Sequence, residues 1–116
     1  MSYSLSKSQV LDEFQSSEFI LKTQQQIAKN LEQFSINFDS SFITTPLFYD
    51  ELLLEVESRL AELMKTNEQR FLQYLYMVDL PEKEFLTLLN DPLFLPKISE
   101  LILRREAYKV YLRTKF

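Results

Sequence analysis

The sequence predicts an all-α, single-domain bundle of four to five helices. Three observations carry this. Apolar residues recur at helical spacing along nearly the whole of the 116-residue chain. The chain contains no glycine, which removes the preferred residue of primed hairpin turns and bulges. Its interruptions fall instead at Ser, Asn, Asp and Pro, the residues that cap and stop helices. The length is that of one domain with one core.

The first helix is expected over about 7–35. Ser6 and Gln9 have the spacing of a capping box at its start. Ile20, Ile27, Leu31 and Phe34 share one face, and Val10, Phe14, Leu21 and Ala28 a neighbouring one. Ser16–Ser17 is a point where it can be interrupted. Residues 36–45 read as the main loop, rich in Ser, Thr, Asn and Asp that compete for backbone hydrogen bonds. Phe38 and Phe42 are expected to tuck against the core.

Thr45-Pro46 has the form of a helix start, a hydroxyl N-cap followed by proline at the first helical position. Leu53, Val56, Leu60, Leu63, Met64, Phe71, Tyr74, Leu75 and Val78 then fall in a stripe about 120° wide. One long central helix over about 46–78 follows, about 50 Å long. Asn67 lies on that stripe. It either sets register between helices or marks a break, with Thr66 and Gln69 as a new capping box. Asp79-Leu80-Pro81-Glu82 has N-cap spacing and predicts a corner and a short helix over about 80–90. Asn90-Asp91-Pro92 repeats the stop-and-restart signal, and a last helix is expected over about 96–114.

Composition excludes several chemistries. With neither cysteine nor histidine, the chain has no thiolate nucleophile, no zinc–thiolate site and no imidazole base or ligand. Without glycine it cannot write a phosphate-binding glycine loop. No E-x-x-H motif of a ferritin-type di-iron bundle is present. Glu51, Glu55 and Glu62 recur at helical spacing, as a solvated face does. No catalytic residues, cofactor, metal or small-molecule substrate are implied, and a small-ligand or metal-binding bundle ranks third among the readings. The N-terminal MSYSLSKSQV lacks the form of a signal peptide. The apolar runs fall far short of the roughly 20 residues that span a bilayer. A cytoplasmic, non-membrane protein is the expectation.

Two features of the last helix bear on function. Ile98, Leu101, Ile102, Tyr108 and Leu112 form one apolar stripe, and Leu103, Ala107 and Val110 another on roughly the opposite side. A helix apolar on two sides is either central in its own bundle or shared with a partner. The second choice makes the chain a non-enzymatic protein–protein interaction or self-association module, simplest as a dimer. Its contact would use Leu103, Ala107, Val110 and Tyr111, with Tyr76 at the tyrosine-rich end of the central helix. The alternative is a nucleic-acid-associated regulator, because Arg105, Lys109 and Arg113 form an i, i+4, i+8 basic row. Residues 97–116 carry a charge of +4 against −8 elsewhere, but the chain as a whole is acidic, at −4. That balance disfavours a dedicated nucleic-acid binder.

Overall fold

A computed structural model describes residues 4–115, so the first three residues of the N-terminal stretch lie outside it. Among the described residues there are six α-helices, one 3₁₀ turn and no strand. The all-α class holds, and the helix count exceeds the expected four to five because both long helices are broken.

Helix α1 (Lys7–Glu13) opens on the anticipated capping box. Ser6 Oγ accepts from the Gln9 N–H at 3.1 Å, and Gln9 Oε1 accepts from the Ser6 N–H at 2.8 Å. It ends at Phe14, and α2 (Ser17–Glu32) begins directly. The break is made by Ser16, whose hydroxyl accepts from the Phe19 N–H at 3.2 Å. The expected helix over 7–35 is therefore two.

Without glycine, other residues take the left-handed backbone that ends a helix. Ser35 does so after α2, with φ 65°. The Ile36 N–H then reaches back to the Leu31 carbonyl at 3.1 Å, and Ile36 is buried. The loop that follows contains a 3₁₀ turn (Ser40–Ile43) and is held from below by Gln24. The buried Gln24 amide donates to the Phe42 and Thr45 carbonyls at 2.6 and 2.9 Å and accepts from the Leu47 N–H at 2.7 Å. Phe42 is buried and Phe38 stacks on it at 4.1 Å between ring centroids, as the loop composition suggested.

Because Gln24 pins Thr45 and Leu47, Pro46 does not start a helix. Helix α3 (Tyr49–Thr66) begins three residues later, at an N-cap, Phe48, that has no side-chain acceptor. Glu51 supplies half a capping box by accepting from the Phe48 N–H at 3.4 Å. Helix α3 ends at Asn67, whose backbone is extended (φ −159°) and whose Oδ1 accepts from the Arg70 N–H at 3.0 Å. Asn67 thus caps α4 (Glu68–Met77). The continuous helix over 46–78 is overturned, and the break reading holds with Asn67 itself, not Thr66, as the cap. An unbroken helix of about 50 Å would also exceed the molecule, whose greatest extent is 35 Å.

The corner at Asp79 differs from the N-cap expectation. Asp79 takes the left-handed conformation (φ 60°) that closes α4, and the Leu80 N–H donates to the Leu75 carbonyl at 3.2 Å. The N-cap of α5 (Glu82–Leu88) is Pro81, with no side-chain cap. Asp91 then organises the second corner. Its carboxylate accepts from the Leu93 N–H at 2.8 Å and from Lys97 Nζ at 2.6 Å, and the Lys97 bond holds its pKa below the usual carboxylate range. Helix α6 (Phe94–Lys115) contains Pro96 in its first turn, where proline is tolerated.

Helix α6 is the axis of the molecule and packs against α1, α2, α3 and α5. The core around it takes Ile27 and Leu31 from α2, Leu52, Val56, Leu60 and Leu63 from α3, and Tyr74 from α4. Among the described residues no helix is long and apolar enough to cross a membrane.

Candidate functional site

The central position of α6 decides the fate of the second apolar stripe. Leu103, Ala107 and Val110 are fully buried by the protein's own helices, as are Ile98 and Ile102 on the other side. They form core, not a contact surface, which corrects the interface expected there. Four helices surround α6 and cover the middle of both apolar sides, while Leu101 and Tyr108 are half-buried and Leu112 is exposed. Tyr111 is half-buried beside them. Tyr76 stands apart on α4, and its side of the molecule is open, with 70% of the residue exposed.

The basic row is not presented as a row. Arg105 Nε donates to the Val78 carbonyl at 2.8 Å, and its guanidinium lies 3.4 Å from the Asp79 carboxylate. It closes the C-terminal end of α4, where exposed carbonyls favour a cation. Lys109 Nζ lies 3.9 Å from Glu106 Oε1. Arg113 is exposed, so of the three it is the one that faces solvent.

Glu106 forms an unexpected polar centre inside the bundle. It is fully buried, and its Oε2 accepts from the buried Asn30 amide at 2.7 Å. Burial pushes its carboxyl up to about 7, against the opposing pull of Asn30 and Lys109. The Tyr74 hydroxyl is also fully buried and has no hydrogen-bond partner among the described residues. Its pKa is raised by burial first and by the charge of Glu106 second. Both residues are closed off from solvent. Among the described residues no group of three carboxylates is placed to hold a metal ion.

The surface that lacks an intramolecular explanation lies along α4 and α5. Helix α5 has no buried residue, although Phe85, Leu86 and Leu88 lie within it. A seven-residue helix is not stable on its own propensity and depends on packing. Phe85 and Leu88 pack on the core, and Phe85 meets Phe94 edge to face at 6.0 Å. Leu86 (52%), Leu89 (48%) and Leu93 (56%) remain open to solvent. Leu72 and Tyr76 on α4 continue this surface. Between the two helices runs a groove of about 140 Å³ lined by Leu72, Leu75, Tyr76, Leu80, Glu82 and Phe85. Of the candidate contact residues read from the sequence, Tyr76 alone belongs to it. The signal for the rest was the Leu86/Leu89/Leu93 spacing, which reads equally well as core.

No protein-family model, curated protein or solved structure matches this chain.

Proposed function

We propose that this protein is a non-enzymatic helical interaction module and that its contact face is the α4–α5 surface. The observation that carries the reading is a helix, α5, with no buried residue but three neighbouring leucines half open to water. A contiguous apolar surface of this kind is the usual mark of a contact site, and an exposed tyrosine beside it suits an interface that must also be wetted. The stripe of Leu103, Ala107 and Val110 takes no part. The nucleic-acid reading has little support, since Arg105 and Lys109 are engaged within the chain. A cytoplasmic location is part of the same proposal.

The test is the double substitution Leu86→Asp and Leu89→Asp. Both side chains are about half exposed, so the change is expected to lower stability by no more than about 1 kcal/mol. Association is expected to disappear while circular dichroism and the cooperative melt are retained. Association at undiminished strength in a folded double variant would remove this face from the account.

A further inference from the structure

A second surface stands apart from the α4–α5 face. Helices α2 and α6 leave a groove of about 360 Å³ between them, with the buried Val110 beneath it. Lys22 and Lys29 line it from α2, and Arg113 lines it from α6. Among the described residues no carboxylate lines this groove, although the chain as a whole carries a charge of −4. We propose that it is an anion site for a short chain of linked phosphates, either inorganic or the phosphate tail of a small ester.

Lys22 and Lys29 are seven residues apart on α2, so they stand on one side of the helix about 10 Å apart along its axis. Lys29 and Arg113 fall in the last turns of α2 and α6, where a cation complements the helix dipole. That accounts for each of them alone. It does not account for their sharing a groove with Lys22, which lies nearer the positive end of α2. Like charges gathered in one cleft repel each other and focus a field that draws in a counter-ion.

The neighbouring acids do not close the site. Glu18 pairs with Lys22 at 3.1 Å, but the acid's side chain is 78% exposed, and an exposed pair of this kind contributes too little to hold off an anion. Glu106 turns inward, to Asn30. Among the described residues Lys29 and Arg113 form no ion pair.

The lining also indicates the class of anion. It has no aromatic ring on which a base could stack, as sites for single-stranded nucleic acid do. Three cations are fewer than the roughly six to ten phosphate contacts of a duplex binder. Apart from Val110 the groove offers no apolar seat for a peptide side chain. A phosphate chain needs only charge and donors. The Arg113 fork suits two oxygens of one phosphate, and the lysines act as point charges on flexible stems. None of these residues belongs to the α4–α5 face, so loss of the interaction reading leaves this site untouched.

Calorimetric titration of the wild-type chain with sodium tripolyphosphate at low ionic strength tests the proposal. One anion is expected to bind per chain, at least about tenfold more weakly when salt rises from roughly 20 to 200 mM. Lys29→Gln and Arg113→Gln are each expected to weaken binding about tenfold. Both positions are exposed, so both variants are expected to fold. Lys65→Gln removes the same charge from an exposed position at the end of α3 and is expected to leave binding unchanged. No binding at millimolar tripolyphosphate overturns the site. Equal weakening by Lys65→Gln and Lys29→Gln overturns the groove as its location. A short single-stranded oligonucleotide that binds more tightly than tripolyphosphate overturns the small-anion class.

Discussion

Glu106 places a carboxyl group in the centre of the bundle, and its linkage to stability has a definite sign. Its ordinary pKa of 4.5 is raised to about 7 in the fold, chiefly by burial. The folded state therefore holds the proton more tightly than the unfolded chain. The contribution of this residue is most favourable below about pH 4.5 and is lost as pH rises to about 7. By linkage the loss is about 3 kcal/mol. Glu106→Gln keeps an acceptor for Asn30 and removes the buried charge. It is expected to raise stability at pH 8 by roughly 1–3 kcal/mol and to change it much less at pH 5. Urea unfolding at the two pH values checks this, and a variant less stable than wild type at pH 8 would contradict it. None of this was legible in the sequence. In the sequence Glu106 is one of two acids among the six basic residues of 97–116, and its partner Asn30 lies 76 positions away. Gln24 was hidden for the same reason, since the backbone groups it holds lie 18 to 23 positions ahead.

Elements were more legible than their limits. Helical periodicity located the segments that hold α1–α4 and α6, because it depends only on spacing within one segment, while α5 was placed by the turn signals before it. It does not register a break that preserves the stripe, and this is what happened at Asn67 and Ser16. Both keep the apolar register while using a side-chain oxygen to end one helix and start the next. The Asp79 spacing misled for a related reason. A short acidic residue serves equally as an N-cap or in the left-handed conformation after a helix, and the tertiary contact with Arg105 accompanies the second role. Asn67→Ala removes the cap of α4 and is expected to cost about 1 kcal/mol. Chemical denaturation measures it. A stabilised variant would favour a continuous helix through residue 67. The same variant also loosens the joint that sets α4 beside α5, so hydrogen exchange in residues 68–77 is expected to rise with it.

At the scale of the whole molecule, the two apolar sides of α6 posed a choice between a central helix and a shared one. Sequence alone could not decide it, because both choices leave the same pattern. The packing of α1, α2, α3 and α5 around α6 decides for the centre. A substitution there is then a folding defect. Leu103→Asp is expected to lose more than about 3 kcal/mol and to abolish the cooperative melt, whereas Leu86→Asp is expected to leave it intact. The apolar surface left over after this packing is on α4 and α5, and the account rests on what that surface does. Sedimentation equilibrium of the wild type beside the folded Leu86→Asp, Leu89→Asp variant tests it most directly. The account predicts about twice the chain mass of 13.9 kDa for the wild type and the single chain mass for the variant. The same mass for both proteins at every concentration would contradict it.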